Sequence, residues 1–450
     1  MKNFLWFVIS LFTVLAMFFA GNESIYFSNR VFITSIIIQI ISIYNIFSKD
    51  EEPYSLFKMF FLFSLFFFGV APLMQSFDNS KFWYKRPLFE EEYFFMNILI
   101  IFIIIFFKFF YQIFRKSFKV KNKNRFIMNM TISSISHFKI FILILISIFS
   151  FFMVFASYNF SVAPMFVRGG ELVAVALKNV EEDSSPTKWL IVNNFVRPLS
   201  VMCFLFYAVS KRKKIFPYLI LLSLALVTCF PTAIPRFAAA AIYIPVLLIL
   251  FSYVRKKNVF SLIFVFGLLV LFPLLNIFRT YKDAEEFKFK LDFKMFTEAH
   301  FDSYQNFALI ISNDIITYGR QLLGVMFFWV PRSVWENKPL GSGAFSAHEL
   351  NFFYDNVATN FFAEGFLNFG FIGIIFFLTC ISYITAKWDK IYWSREGSGS
   401  TAGSFLTVIY TTSLGFLFFI LRGDLMSSLA YMIGYFLSAL LVFKITTFKF

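Results

Sequence analysis

The chain is poor in the residues that metal centres and redox sites are built from. Its 450 residues include three cysteines and three histidines. Cys203, Cys229 and Cys380 all lie inside apolar runs, which gives neither a disulfide framework nor a zinc-ligand spacing. No HExxH, CxxC or Asp/Glu ligand cluster points to a metal, and no cofactor is expected. A phosphate-cradling GxxxxGK[ST] loop is also missing, so the chain carries no ATP motor of that kind. Charge is scarce as well: 15% of residues are charged against 59% hydrophobic, and the mean hydropathy is +0.73. A soluble domain cannot hide that much apolar surface. Repeated apolar runs of about 18 residues or more read as membrane spans.

The charge that remains is lopsided, with 41 Lys and Arg against 26 Asp and Glu and a formal net charge of +15. In a membrane protein, basic loops set topology and meet anionic lipid, so no nucleic-acid partner is expected. The 74 phenylalanines follow genome composition as much as structural demand and carry no functional argument.

Hydropathy predicts an all-α polytopic protein with about twelve spans: 4–20, 31–47, 59–75, 94–114, 139–156, 189–210, 215–230, 237–254, 259–278, 361–386, 404–421 and 425–443. The first resembles a signal peptide but is followed by many spans, and reads as a retained signal anchor. The strongly basic short loops all follow even-numbered spans, for example Lys211 to Lys214 and Arg255 to Lys257. The positive-inside rule then places both termini in the cytoplasm. The loop Lys49-Asp50-Glu51-Glu52 is the exception, being not net basic. There is no internal repeat of the kind that inverted-repeat transporters carry.

Three regions follow: spans 1 to 9 in 1–278, a large outward loop in 279–360, and spans 10 to 12 in 361–450. The loop is the one long polar segment of the chain. Phe293–Asp314 reads as an amphipathic helix, and Leu322–Val330 as an apolar piece too short to span, lying on the outer surface or re-entering shallowly until Pro331 stops it.

Charges in awkward places are the candidate site residues. Arg197, beside Pro198, falls within span six, a costly place for arginine without a partner or an anion. Arg168, Arg236, Arg279, Arg332 and Arg422 sit at outward ends of separate hairpins, where positive-inside bias should deplete them. Guanidinium forks bind phosphates bidentately and stay charged, so an outward arginine set suits a lipid-linked pyrophosphate. Each of these arginines alone also reads as a headgroup anchor. Glu364, at an apolar boundary, and His348, in the polar loop, are candidate proton acceptors. The bland readings are an arginine-orienting carboxylate and a solvated histidine. Asp424 reads most simply as the ion partner of Arg422.

Several segments match a family in order: Phe68-Gly69-Val70-Ala71-Pro72-Leu73 closing span three, Pro331-Arg332-Ser333-Val334-Trp335 with Lys338-Pro339 and Gly341/Gly343, Phe362-Ala363-Glu364-Gly365 through Gly370 and Gly373, and Arg422-Gly423-Asp424. The arrangement resembles the O-antigen polymerases, the Wzy class of oligosaccharide repeat-unit polymerases. Arg332 and Gly343 also have the Arg-ten-residues-Gly spacing described for some members, whereas Asn179 stands at the matching distance after Arg168. The resemblance implies a GT-C-like glycosyltransferase of the bacterial inner membrane. It would join polyprenyl (undecaprenyl) pyrophosphate-linked oligosaccharides on the periplasmic face, without metal or nucleotide sugar. Arg332, Arg197, Arg236, Arg422, Arg279 and Arg168 would meet the pyrophosphate, and Glu364 or His348 would take the acceptor proton. Trp335, Lys338 and Asp424 would contact glycan. Membrane lipids, a chain-length regulator and a flippase are the implied partners. O-antigen ligases share the architecture, and a lipid-linked oligosaccharide flippase is the alternative from another class.

Overall fold

The computed structural model describes residues 28–48, 52–118, 132, 135–167, 186–271, 293–396 and 405–447. Among them every regular element is a helix. Eight helical stretches are long and apolar enough to cross a membrane: Asn29–Ile46, Leu56–Phe77, Glu90–Ser117, His137–Ser157, Lys188–Val209, Phe361–Ser394, Phe405–Arg422 and Leu425–Thr447. Three shorter apolar helices, Ile215–Thr228, Ala238–Leu250 and Val259–Val270, fall where spans seven to nine are expected. The chain is therefore a multi-pass helical membrane protein. The expected first span, 4–20, lies outside the described residues, as do Arg168 and Arg279.

The Leu56–Phe77 helix is the axis of the bundle, and an 18-residue stretch of it is wholly buried. Its phenylalanines face neighbours on several sides: Phe60 stacks on Phe107 at 3.5 Å between ring centroids, and Phe63 meets Phe418 edge-on at 5.5 Å. A helix apolar all round can be stable only when it is enclosed, by protein here rather than lipid. The middle of this helix, Ser64–Val70, widens into a π-helix just before Pro72. Proline removes an N–H and crowds the preceding turn, and a local widening absorbs both. Gly69 is required there. Its carbonyl accepts from Gln39 Nε2 at 3.1 Å, and a Cβ at Gly69 would lie 2.8 Å from the Gln39 side chain. The same device recurs in Lys188–Val209, where the π-helix Val192–Val196 precedes Pro198.

The opposite end of the axis helix is capped by a carboxylate from another span. Asp389, fully buried, accepts from Leu56 N at 2.9 Å, Phe57 N at 3.1 Å, Tyr111 Oη at 2.7 Å and Tyr410 Oη at 2.6 Å. First-turn N–H groups have no partner within their own helix, and an acidic side chain there also meets the positive end of the helix dipole. Glu52 pairs with Arg115 close by. Glu52 therefore lies at the same end of the bundle as Arg115, in the last turn of Glu90–Ser117.

The insert is not a surface layer. The expected amphipathic helix over 293–314 is two short 3-10 turns, Phe293–Thr297 and Ala299–Phe301, followed by the helix Ser303–Ser312. Residues Ser303 to Ile310 are all buried, polar ones included. The reason is that polar side chains of the bundle receive it. Gln75 Nε2 donates to Phe296 O at 3.0 Å and to Phe301 O at 2.9 Å. Tyr304 Oη donates to Asn97 Oδ1 at 2.9 Å, and Gln305 Nε2 to Ser80 O at 3.0 Å. Buried polar groups need such partners, so a polar helix can enter an apolar bundle only where these acceptors wait. The next piece does lie at the surface: the helix Arg320–Met326 leaves Leu323 and Met326 exposed, and the turn after it exposes Trp329.

The expected single span over 361–386 is also different. The helix starting at Phe361 breaks at Phe369 (φ −146°, ψ 25°) and Gly370 (φ 61°, ψ −147°). Phe361 and Phe377 have ring centroids 5.0 Å apart, whereas a straight helix at 1.5 Å per residue would separate these positions by about 24 Å. The chain therefore folds back, and 361–368 forms a short arm packed on the long helix. Backbone carbonyls freed by the break are satisfied by the insert. Leu367 O accepts from Thr317 N at 2.6 Å and Asn368 O from Gly319 N at 2.9 Å. Asn360 caps the arm, its Oδ1 accepting from Phe362 N at 3.0 Å and Ala363 N at 2.9 Å.

Candidate functional site

The turn Arg422 to Leu425, between the last two spans, is gripped by two buried carboxylates from different parts of the chain. One is Asp302, which leads into the buried insert helix. Its Oδ2 accepts from Trp83 Nε1 at 2.9 Å, Asn306 Nδ2 at 3.1 Å and Ala358 N at 3.2 Å. Its Oδ1 faces an Arg422 Nη at 3.8 Å. Arg422 also donates from Nε to His300 O at 3.0 Å, and its side chain keeps 30% of its surface exposed. Burial pushes the Asp302 carboxyl above its ordinary pKa, while the Arg422 charge and the three donors pull it back. Asp424 was the expected ion partner of Arg422, and the structure corrects this. Asp424 turns the other way, caps the final span by accepting from Ser427 N at 3.1 Å, and lies 3.5 Å from Gly343 N. A Cβ at Gly341 would overlap its carboxylate. Burial raises the Asp424 carboxyl as well.

The second carboxylate is Glu364, on the short arm. It has no exposed surface. Oε2 accepts from Ser342 Oγ at 2.7 Å and Oε1 from Leu425 N at 2.9 Å. Both oxygens are thus occupied in joining three segments: the insert at Ser342, the arm, and the first turn of the last span. Replacing Glu364 by alanine strands the Leu425 N–H in an apolar place, at a cost of about 1–3 kcal/mol. The expected result is a lower thermal midpoint in detergent. A Glu364→Ala protein as stable as wild type but inactive would assign Glu364 to chemistry rather than to this latch.

The remaining expected site residues are placed as follows. Arg332 is exposed and closes its own loop, donating to Lys338 O at 2.8 Å and Pro339 O at 3.3 Å. Lys338 Nζ in turn donates to Phe328 O at 2.5 Å and Val330 O at 2.9 Å, and burial followed by the Arg332 charge lowers its pKa. Trp335 packs edge-on against Phe327. His348 is exposed in the last turn of the helix Ser342–Glu349. Arg236 opens the helix Arg236–Leu250 after Pro235. Arg197 is buried at 5% exposure, with a hydrogen bond to Tyr158 Oη at 2.9 Å and the Tyr158 ring 5.5 Å away. Among the described residues no carboxylate pairs with it.

The structure therefore joins Arg422, Asp424 and Glu364 in one place, together with Ser342 and Gly343. No hydrogen bond, ion pair or ring contact among the described residues links Arg197 or Arg332 to Arg422. Asp302 and Trp83 were missed by sequence reasoning. The available signal was Asp302 itself, an acid at the head of a segment rich in apolar residues. Each buried charge needs a partner, and this one is supplied from far along the chain. No family model matches the chain, and neither a curated protein nor a solved structure does.

Proposed function

We propose that the protein is a membrane glycosyltransferase that polymerises polyprenyl-pyrophosphate-linked oligosaccharide repeat units. In this reading it resides in the bacterial inner membrane, with the insert on the periplasmic side, and works beside a flippase and a chain-length regulator. One observation carries the reading. A polar insert enters a helical membrane bundle, and its buried carboxylate Asp302 meets a partly exposed arginine, Arg422, on the turn between the last two spans. A donor sugar on a lipid pyrophosphate is already activated, so the enzyme has two tasks: to stabilise the departing pyrophosphate and to remove a proton from the acceptor hydroxyl. Arg422 suits the first, because a fixed guanidinium opposes charge that grows in the transition state. Arg332, tied into its own loop, shapes the neighbouring surface, and exposed Trp329 faces lipid or sugar.

The test uses purified protein in liposomes with a lipid-linked repeat unit, without ATP and without a lipid A-core acceptor. A glycan ladder spaced by one repeat is expected. A single unextended band beside a working control polymerase rejects polymerisation, and transfer of finished polymer only when lipid A-core is added identifies a ligase. Arg422→Ala should lower the ladder-forming rate by about 100-fold, with Arg422→Lys between the two. An unchanged rate in Arg422→Ala removes this arginine from the mechanism.

A further inference from the structure

Asp302 has the geometry of a held and half-free carboxylate. It is 2% exposed. Its Oδ2 is pinned by three donors, which fixes the plane of the group. Its Oδ1 is buried without a hydrogen bond, and among the described residues the charge that pairs with it is Arg422 at 3.8 Å. The donors to Oδ2 include the indole of Trp83, whose ring centroid lies 4.7 Å from Tyr354 and 5.6 Å from Phe353. Tyr354 is 43% exposed and Phe353 78%. Exposed aromatic faces beside a fixed carboxylate form a surface on which a pyranose can lay its C–H face while a hydroxyl reaches the acid.

We infer that Asp302 is the proton acceptor for the acceptor-sugar hydroxyl, in a pyranose subsite walled by Trp83, Tyr354 and Phe353; this rests on the glycosyltransferase reading above. The acceptor O–H gives its proton to Asp302 Oδ1. The acceptor oxygen, freed of its proton, forms a bond to the anomeric carbon of the donor, and the bond from that carbon to the pyrophosphate oxygen breaks. The electron pair leaves with the lipid pyrophosphate, beside Arg422. Arg422 thus serves both halves of the step. While it pairs with Asp302 it covers Oδ1, and an anion that draws the guanidinium away uncovers the base and removes its counter-charge. Glu364 is less suited to this role because each of its oxygens already accepts a hydrogen bond. His348 is exposed at the end of its helix.

The charged and titratable groups on the elements around Asp302 are Arg422 and Asp424 on the turn between the last two spans, Asp78, Lys81, Tyr84, Lys85 and Arg86 on the segment carrying Trp83, Tyr354 and Asp355 on the segment carrying Ala358, and Glu298, His300 and Tyr304 on its own turn and helix. Arg422 is the one in ion-pair range. Burial raises the Asp302 carboxyl and the Trp83 bond lowers it. A base acts when deprotonated, so the rate falls as pH drops through its pKa. Removing the indole donor raises that pKa and moves the acid limb to higher pH.

The experiment measures ladder formation against pH with the wild type, Asp302→Asn and Trp83→Phe. Asp302→Asn should lower kcat by about 100-fold or more, with KM little changed. Trp83→Phe keeps a ring but no donor, and its acid limb should shift upward. Wild-type turnover in a folded Asp302→Asn protein overturns the inference while leaving the polymerase reading intact. If Asp302→Asn does not fold, Trp83→Phe decides: an acid limb identical to wild type overturns the assignment. Absence of a ladder from the wild type itself rejects both readings.

Discussion

Asp389→Ala is expected to be the most destabilising single change in the protein, leaving two helix N–H groups without an acceptor at a cost of about 1–3 kcal/mol each. The carboxylate is the meeting point of four donors: two first-turn N–H groups of the axis helix and the hydroxyls of Tyr111 and Tyr410. The tyrosine hydroxyls can rotate toward other acceptors. The N–H groups of Leu56 and Phe57 cannot, since the helix holds them in place, and the site is closed to water. Tyr410 is also stacked on Tyr392 at 3.8 Å, and Tyr392 shares a hydrogen bond with Tyr54, so a shift of one ring propagates through the cluster. Thermal midpoints in detergent, read by size-exclusion chromatography after heating, check this. Tyr410→Phe removes one donor and leaves the acceptor, and should cost only about 1 kcal/mol. Equal midpoints for Asp389→Ala and wild type would show that the axis helix does not need its cap.

The second large effect is expected at Gly373. A Cβ there would overlap the carbonyl of Gly365, and a Cβ at Gly365 would lie 2.8 Å from the Gly373 carbonyl. The two glycines let the short arm 361–368 lie directly against the long helix. In Gly373→Val the arm must move away. Glu364 would then leave Leu425 N and Ser342, and the turn carrying Arg422 would lose one of its two anchors. A displacement of about 1 Å can cost about 100-fold in rate. The expected result is a protein that still inserts into the membrane and elutes as a folded species, with polymer formation reduced to that degree. Full activity in Gly373→Val would show that the arm is not part of the working site. The break at Gly370 makes the same argument from the backbone. Its φ of 61° is a region that side chains rarely adopt, so Gly370→Ala should weaken the hairpin in the same direction but by less.

Much of this protein was legible in its residue order. Eight of the expected spans recur as long apolar helices, and three more recur as shorter ones. The prolines at 72 and 198 marked spans that are locally widened, the glycines at 343 and 373 lie where backbones touch, and Gly341 makes room for the Asp424 carboxylate. The polar groups of the Arg332 and Lys338 segment serve its own carbonyls.

Other features required the folded chain. The helix Ser303–Ser312 looks like a surface helix by composition and is buried, because Asn97, Gln75 and Tyr93 wait for it inside the bundle. Arg422 has an acid two residues away in sequence, yet its ion contact is Asp302. Glu364, which by sequence reads equally as a proton acceptor or as a carboxylate that orients an arginine, holds three segments together. The division has a physical cause. Partition of apolar residues out of water is summed locally, residue by residue, so the sequence alone determined that this is a helical membrane protein and roughly where its spans lie. The partner of a buried polar group depends on which segments dock beside it. Only the tertiary structure could decide that the insert enters the bundle, that the helix at 361 doubles back, and that Asp302, not Asp424, meets Arg422.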